Sequence, residues 1–328
     1  MTRWATRYAV ALLVLACLVA VLVGLRVSTV RFERACAADH PQQQMVEVDG
    51  TRLHYVAAGE GAPVVLLHGD GGSALDFTTS PVFERLAEHH RVIAIDRPGH
   101  GYSDDAATPA TLHGQAALVR AALRNIGVEE PVLVGHSRGA SVVAAYLTAY
   151  PDEVAAAVSI GGDLWGEPDP GAYGVYRPAS WPLVGPLLAD VVYAPATRFD
   201  DYRLLRSGLD RAFAPEGPAP DRYVEAYACR WVSASNLHTT LQLMEDTDAA
   251  MPAIRRDYGQ LDVPVVIVHG ADDGNVEPQR AIRAHELLAR SELRMLEGAG
   301  HMPHVTRPTQ VVRAVEDAIE QAALDVPR

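Results

Sequence analysis

One serine in the sequence has the neighbours that a catalytic nucleophile needs. Ser137 is the centre of a Gly-His-Ser-Arg-Gly pentapeptide, which follows an apolar run at residues 131–134 and precedes an alanine-rich stretch at residues 140–150. This order predicts a strand, a sharp turn and a helix, with the serine hydroxyl exposed on the turn. Gly135 and Gly139 fit that geometry, because a Cβ at either position would collide with the neighbouring helix or strand. We therefore predict that Ser137 is a nucleophile.

A serine hydroxyl is a poor nucleophile at neutral pH, so it needs a base that takes its proton and a third group that orients the base. The best candidate for the base is His301, which follows a strand-like segment and lies in a Gly-Ala-Gly loop. His304, three residues later, is the alternative. His68 and His269 precede glycines at strand ends, where the ring more often supports a loop. His136 is expected to point away from the nucleophile, because adjacent residues diverge at a turn.

Other segments of the chain repeat the pattern of an apolar strand followed by a polar, glycine-containing loop. They are Val-Val-Leu-Leu-His-Gly-Asp-Gly-Gly at 64–72, Arg-Val-Ile-Ala-Ile-Asp-Arg-Pro-Gly-His-Gly-Tyr-Ser at 91–103, the strand at 264–268 with His-Gly-Ala-Asp-Asp at 269–273, and Glu-Gly-Ala-Gly-His at 297–301. Together with the serine pentapeptide, they resemble the motifs of the α/β-hydrolase family, in the family's order, over about residues 45–324. The resemblance implies an α/β fold, with a mostly parallel, doubly wound, eight-stranded sheet and an inserted helical cap.

The resemblance also implies an acid that orients the histidine, and three aspartates compete for this role. In this fold the acid lies between the nucleophile and the base along the chain. In relatives it usually stands three residues after the glycine that ends its strand, which from Gly270 gives Asp273. Asp272 remains an alternative, and Asp163 occupies a position that some relatives use. We expect Asp273 to orient His301.

Attack of the serine on a carbonyl creates an oxyanion that needs hydrogen-bond donors, each often worth about 3 kcal/mol. The backbone N–H of Arg138, at the start of the helix after the turn, is one expected donor. The N–H of Asp70, in the segment that resembles the oxyanion loop, is the other. Many relatives carry a small or apolar residue in place of Asp70. Its carboxylate either faces the pocket, where it would disfavour an anionic substrate, or turns into solvent or caps a loop.

The composition fits one large core with an insertion. The chain has 328 residues, of which 48% are hydrophobic and 21% charged, and its formal net charge is −13. This charge argues against a nucleic-acid partner, because no basic stripe interleaved with aromatic residues is visible. No metal-ligand cluster or dinucleotide fingerprint is visible in the sequence, so we expect no cofactor and a small-molecule substrate. The expected division is an N-terminal segment at 1–38, core at 39–165, a helical cap at 166–260 and core at 261–328.

The expected cap is rich in aromatic residues. The alternation of strands and helices stops after Gly162 and resumes at Val263, about 90 residues later. Between them lie Trp165, Tyr173, Tyr176, Trp181, Tyr193, Tyr202, Phe213, Tyr223, Tyr227 and Trp231. Helical spacing of apolar residues appears at 181–193 and 223–244. Most of the aromatic residues are expected to form the core of the cap, and the remainder to face the cleft, which predicts a mostly apolar substrate.

The N-terminus carries eighteen uncharged residues, 8–25, between Arg7 and Arg26. This length reaches the lower end of what spans a bilayer, and we expect a retained single-pass membrane anchor. A cleaved signal peptide is the alternative, with Ala-Cys-Ala at 35–37 as a poorly placed site. Arginines flank both ends, so the positive-inside rule does not decide the orientation. We expect the catalytic domain to be extracytoplasmic, where Cys36 and Cys229 could pair; otherwise they stay as free thiols.

Together these features predict a serine hydrolase that cleaves a carboxylic ester, or an amide, of a mostly apolar small molecule through an acyl-enzyme on Ser137. Relatives with epoxide hydrolase or haloalkane dehalogenase activity carry aspartate at this position. Carbon-carbon bond hydrolases, haloperoxidase-like perhydrolases and hydroxynitrile lyases keep the serine, so they remain alternatives. A further alternative is a membrane-tethered binding protein on the same fold that does not use the triad.

Overall fold

The computed structural model describes residues 2–38, 44–105, 110–167, 174–181, 184–231 and 233–325. The strands in these residues are β1 (Gln44–Val48), β2 (Thr51–Ala58), β3 (Pro63–Leu67), β4 (Arg91–Ile95), β5 (Val132–His136), β6 (Ala156–Ile160), β7 (Val265–Gly270) and β8 (Ser291–Leu296). The α-helices are α1 (Thr2–Ala38), α2 (Leu75–Thr78), α3 (Pro81–Ala87), α4 (Leu112–Asn125), α5 (Arg138–Ala149), α6 (Gly185–Leu188), α7 (Ala194–Phe199), α8 (Arg203–Phe213), α9 (Asp221–Trp231), α10 (Ala234–Asp257), α11 (Pro278–Leu287), α12 (Pro303–Thr306) and α13 (Pro308–Asp325). Segments of 3₁₀ helix lie at Pro151–Glu153, Gly174–Ser180 and Tyr258–Gln260, and a π-helical segment lies at Ala189–Tyr193.

The strands form one eight-stranded sheet in the order β1-β2-β4-β3-β5-β6-β7-β8. β2 is antiparallel to both of its neighbours, and the pairs from β4 to β8 are parallel. Asp49-Gly50, a dipeptide typical of tight hairpin turns, joins β1 and β2: the two residues have φ angles of 50° and 81°, as a two-residue turn of this kind requires. The predicted fold class is confirmed.

Both faces of the sheet are buried, which is why its central strands are continuous apolar runs. In β3, Val64 and Leu66 belong to the core on one side of the sheet, which includes residues of α3 and α13, while Val65 and Leu67 belong to the core on the other side, which includes residues of α4, α5 and α11. All four side chains are inaccessible to solvent, and each contributes about 1.5–3 kcal/mol by burial. This packing fixes the ends of the parallel strands, where ligands bind in open α/β sheets.

The chain leaves the sheet after β6 and returns at β7, and the described residues between 174 and 260 form the helical insertion. Its core contains Phe213, Tyr223 and Trp231, so several of the aromatic residues pack inside it, as expected; Tyr173 lies outside the described residues. The helix expected at 223–244 is in fact two helices. The reason is Ser233, whose hydroxyl accepts a hydrogen bond from the N–H of Asn236 at 3.2 Å and starts α10.

The N-terminal helix α1 continues well past the uncharged run and packs on the helical insertion. Arg26 forms an ion pair of 2.9 Å with Asp190, and the Thr29 hydroxyl donates to the Asp190 carbonyl at 2.9 Å. Cys36 is joined to Cys229 of α9 by a disulfide, which decides between the paired and free thiols expected from the sequence. α1 contains one segment, Arg7–Cys36, that is long and apolar enough to cross a membrane, with a mean hydropathy of 2.9.

Candidate active site

Ser137 lies on a strained turn between β5 and α5. Its φ of 51° and ψ of −122° are costly for a residue with a side chain, and its side chain is partly exposed. A Cβ on Gly135 would lie 2.5 Å from the Cα of Ala140, and a Cβ on Gly139 would lie 2.2 Å from the carbonyl oxygen of Leu67. The two glycines therefore allow the turn to pack against its own helix and against β3, for the reason that the sequence suggested.

A buried histidine and aspartate face each other beside this turn. His301 Nδ1 donates to Asp273 Oδ2 at 2.8 Å, and the other carboxylate oxygen accepts from the N–H groups of Asn275 and Val276 at 2.8 and 2.9 Å. With Nδ1 as the donor, the Nε2 of the neutral ring is left as a proton acceptor. Burial alone would raise the pKa of Asp273, but the charge and hydrogen bond of His301 outweigh it and hold that pKa below its ordinary value.

The pair lies close to the residues that flank Ser137. The ring of His136 packs 4.9 Å from the ring of His301, and its Nε2 donates to the carbonyl of His301 at 3.0 Å. A Cβ on Gly161, at the end of β6, would lie 3.3 Å from His301 Nδ1 and 3.5 Å from Asp273 Oδ2. The structure therefore brings the predicted nucleophile, base and acid to the carboxyl ends of β5, β7 and β8.

The alternative base, His304, has different surroundings. It is fully buried, its ring packs 4.3 Å from the ring of His136, and neither of its ring nitrogens has a hydrogen-bond partner among the described residues. Burial, with a smaller effect of His301, lowers the pKa of His304 to about 3. Such a ring stays neutral and is not oriented by a carboxylate.

The alternative acids do not bind His301. Asp272 is exposed. Asp163 is buried, but one of its carboxylate oxygens accepts from the N–H of Gly166 at 2.9 Å and the other lies 3.3 Å from Arg280 Nη1. Asp163 is thus held by a loop and by an arginine, while Asp273 is held by the histidine.

A buried arginine, Arg97, orients the oxyanion loop, residues 68–72. No motif in the sequence pointed to this role. Arg97 Nη2 and His68 Nδ1 each donate to the carbonyl of Gly69 at 2.8 Å. Because the N–H of a trans peptide points away from its carbonyl, the N–H of Asp70 is turned away from Arg97. A Cβ on Gly69 would lie 3.0 Å from the Cβ of Ser137, so the loop contacts the turn that carries the predicted nucleophile.

Two arginines bind the carboxylate of Asp70. Its Oδ2 is 3.2 Å from Arg138 Nε, and its Oδ1 is 3.8 Å from Arg97 Nη2. Arg138 Nη1 lies 3.6 Å from Asp163 Oδ2, which also faces Arg280. Negative and positive side chains therefore alternate beside the turn and pair with one another. In the sequence, the only sign of this pairing was that Asp70, in the oxyanion loop, and Arg138, directly after Ser137, carry opposite charges.

The helical insertion contacts the oxyanion loop directly. The Tyr227 hydroxyl donates to the carbonyl of Asp70 at 2.6 Å. A Cβ on Gly71, whose φ is 67°, would lie 1.8 Å from the ring of Trp231. Both aromatic residues belong to α9, so this helix packs on the oxyanion loop, which contains the N–H of Asp70, the expected oxyanion donor.

The insertion also contacts the loop that carries His301. The N–H of His301 donates to the carbonyl of Ala212 at 2.9 Å, and the N–H of Gly300 donates to Glu216 Oε2 at 3.1 Å. A Cβ on Gly300 would lie 2.0 Å from the carbonyl oxygen of Ala214. These contacts join residues far apart in the sequence, and no local pattern predicted them.

A second aspartate binds a histidine elsewhere in the molecule. His54 Nδ1, in β2, lies 2.7 Å from Oδ2 of Asp96, which directly follows β4. Both side chains are buried, and the carboxylate also accepts from the N–H groups of Ala74 and Tyr102 at 2.5 and 2.7 Å. Burial opposes ionisation, but the hydrogen bond and charge of His54 outweigh it and hold the pKa of Asp96 below its ordinary value.

Comparison with known proteins identifies the family of the chain. A sequence model of the alpha/beta hydrolase fold matches residues 62–308. A non-heme chloroperoxidase of Streptomyces lividans is 32% identical over 79% of this chain and 93% of that protein. The 2-hydroxy-6-oxo-2,4-heptadienoate hydrolase of Pseudomonas putida is 27% identical over 81% of this chain and 91% of that protein. The structure of a membrane phospholipase A has a TM-score of 0.65 at 20% identity and covers 98% of this chain and 99% of that one, a likeness of fold. The chain belongs to the α/β-hydrolase fold family.

Proposed function

We propose that this protein is a membrane-anchored serine hydrolase that cleaves a carboxylic ester through an acyl-enzyme on Ser137. The observation that carries the proposal is the buried hydrogen bond of 2.8 Å between His301 Nδ1 and Asp273 Oδ2 beside the strained serine turn. Such a pair holds the imidazole in the tautomer that can take a proton through Nε2. The proposed roles are nucleophile for Ser137, base and then acid for His301, and orienting acid for Asp273.

The reaction would proceed in two halves. Ser137 Oγ attacks the carbonyl carbon while His301 Nε2 takes the hydroxyl proton, and the N–H groups of Asp70 and Arg138 bind the oxyanion. When the tetrahedral intermediate collapses, the ester C–O bond breaks and His301 gives its proton to the leaving alcohol. Water then attacks the acyl-enzyme, His301 takes its proton, and the acid leaves while Ser137 regains its hydrogen.

The charges beside the turn support an uncharged reacting group. Asp70 pairs with Arg138, and Asp163 pairs with both Arg138 and Arg280. A charged substrate group would have to break one of these largely buried pairs, which leaves an uncompensated charge. We therefore propose a neutral ester with a mostly apolar acyl or alcohol part, which residues 166–260 would cover as a lid.

The anchor is part of the proposal. The side chains of the apolar segment of α1 are largely exposed, as a lipid-facing helix requires. Cleavage near residues 35–37 would cut α1 beside Cys36, whose disulfide joins it to Cys229. This bond supports retention of the helix, and it supports an oxidising, extracytoplasmic compartment for the catalytic part.

The experiment is active-site labelling of the full-length protein with a fluorophosphonate, followed by turnover of p-nitrophenyl esters of graded acyl length, with simple amides for comparison. Wild type should be labelled, and Ser137→Ala should not. Ser207→Ala, which changes an exposed serine of α8, is the matched control and should be labelled like wild type. An unlabelled wild type, or equal labelling of Ser137→Ala, would exclude the serine hydrolase.

A second candidate function is perhydrolysis, which the 32% identity to a non-heme chloroperoxidase favours. Here hydrogen peroxide, in place of water, would attack the acyl-enzyme, giving a peracid and the free serine. Bromination of monochlorodimedone in acetate, hydrogen peroxide and bromide measures it, because the peracid oxidises bromide to the brominating species. Activity that exceeds ester hydrolysis and disappears in Ser137→Ala would favour this candidate.

A further inference from the structure

Exposed apolar side chains outside α1 are concentrated in one part of the helical insertion. Among the described residues beyond α1, nine large apolar side chains are exposed, and six of them lie between residues 181 and 204. The six are Trp181, Val184, Leu187, Val192, Phe199 and Leu204. We call them the interfacial face. A single exposed leucine needs no explanation, but a cluster of this kind marks a surface that something covers.

Two residues of the interfacial face belong to elements that contact α1. Val192 lies in the π-helical segment Ala189–Tyr193 and Phe199 ends α7, and α1 packs on both of these elements. Arg198, next to Phe199, donates to the Thr29 hydroxyl at 3.1 Å and stacks its guanidinium on a ring of α1. Val192 and Phe199 of the interfacial face therefore lie on the elements where the anchor meets the insertion.

The helical insertion covers part of the uncharged run of α1, on the N-terminal side of Arg26. Leu22 and Leu25 are partly buried although the residues at 21, 23 and 24 are exposed. They share a helix face with Thr29 and Cys36, because the spacings of three, four and seven residues follow the helical repeat, and this face packs on the insertion. At 1.5 Å per residue, Leu22 lies about 6 Å deeper along the helix axis than Arg26.

We propose that the interfacial face lies in the headgroup region of the bilayer that α1 spans, so that the insertion is seated on the lipid surface. The proposal rests on the proposed membrane anchor. Asp190, which pairs with Arg26 at the end of the uncharged run, is two residues before Val192, so Val192 lies near the level where hydrocarbon gives way to headgroups. Interfacial helices bury their apolar sides about 5–10 Å into this region, a depth that matches the position of Leu22.

The test uses the full-length protein in vesicles of phosphatidylcholine and phosphatidylglycerol. An NBD fluorophore is attached to Phe199→Cys in a Cys17→Ala background, where the disulfide leaves no other thiol among the described residues. Leu287→Cys is the matched control, because Leu287 is an exposed apolar residue of α11 on the core. Val192→Cys provides a second reporter if Phe199→Cys does not fold. Lipids with a nitroxide on the upper acyl chain quench fluorophores that contact them.

The nitroxide lipids should quench NBD at residue 199 about twofold or more beyond NBD at residue 287, and its emission should be shifted to the blue, as for a group in the interface. Equal quenching at both positions would overturn the proposal. A blue shift that grows with protein density and is insensitive to nitroxide would also overturn it, since a second copy of the chain would then cover the face. Release of the protein by carbonate would overturn the anchor and this inference together, whereas fluorophosphonate labelling reports separately on the hydrolase.

Discussion

Two aspartates in this molecule bind a histidine Nδ1 at nearly the same distance, yet their surroundings differ. The His301–Asp273 distance is 2.8 Å and the His54–Asp96 distance is 2.7 Å. Beside the second pair, the Ser103 hydroxyl donates to the Asp96 carbonyl at 2.6 Å and accepts from the N–H of His54 at 2.9 Å.

A hydrogen bond to an aspartate does not by itself make a histidine a catalytic base. Ser103 is buried and both roles of its hydroxyl are occupied by the backbone, so that pair fastens β2 to the loop after β4. Ser137 is partly exposed on a strained turn whose glycines bring the oxyanion loop close. The first pair is therefore proposed to be catalytic and the second to be structural.

Removing the two imidazoles should separate these roles most strongly. His301→Ala should lower kcat for a p-nitrophenyl ester by about 10⁶, because the base is lost. His54→Ala should leave kcat within about tenfold at a temperature where it is folded, and should lower the free energy of unfolding. Steady-state kinetics, with circular dichroism to verify folding, measures both. If the two variants lose activity equally, the distinction between the pairs is wrong.

The two aspartates should behave in the same way with a smaller effect on rate. Asp273→Asn should lower kcat by about 10⁴, because the imidazole is held in the wrong tautomer. Asp96→Asn should cost about 3–5 kcal/mol of stability in urea unfolding, since it breaks a buried pair, and should change kcat little. Asp272→Asn and Asp163→Asn are the controls for the acid. Greater damage to kcat in either of them than in Asp273→Asn would contradict the proposed assignment.

The buried carboxylate of Asp76, which has no histidine partner among the described residues, extends this comparison to the dependence of stability on pH. Burial raises the pKa of Asp76 from 3.8 to about 7, so the folded state holds a proton that the unfolded state has lost. The contribution to stability is therefore complete below pH 3.8 and is lost as the pH rises towards 7, at up to about 1.4 kcal/mol per pH unit. Urea unfolding between pH 4 and 8 should show wild type losing stability relative to Asp76→Asn. Parallel pH curves would show that Asp76 titrates as it does in the unfolded chain.

The smallest effect is expected where the insertion touches the site. Tyr227→Phe removes one hydrogen bond to the Asp70 carbonyl, worth about 1 kcal/mol, and should lower kcat/KM about fivefold with Ser137 still labelled by a fluorophosphonate. Tyr55→Phe, in β2, is the control and should match wild type. An unchanged kcat/KM in Tyr227→Phe would mean that α9 does not help to hold the oxyanion loop.

The sequence predicted the parts of the fold that local patterns determine. Apolar runs followed by glycine-rich loops gave the parallel strands, and Asp49-Gly50 gave the β1–β2 turn, because in both cases neighbouring residues decide the conformation. The predicted positions of Ser137, Asp273 and His301 converge on one edge of the sheet for the same reason, since each follows a strand.

Contacts between distant residues could not be read in the same way. Arg97 binds the Gly69 carbonyl and Tyr227 binds the Asp70 carbonyl, but nothing near either residue in the sequence names its partner. The His54–Asp96 pair was also missed, because it depends on the register of β2 against β4. The packing of distant segments on one another decides such contacts, and patterns of neighbouring residues do not predict that packing.

The bond between Cys36 and Cys229 has a consequence for the order of events during synthesis. The two cysteines are 193 positions apart in the chain, so the anchor helix is made long before its covalent partner. The bond can close only after six strands of the sheet and about two-thirds of the insertion have been synthesised. A chain that remained in a reducing cytoplasm would keep both thiols. With the proposed extracytoplasmic catalytic part, the oxidised bond would be a chemical record that export has been completed, readable as a difference in gel mobility with and without reductant.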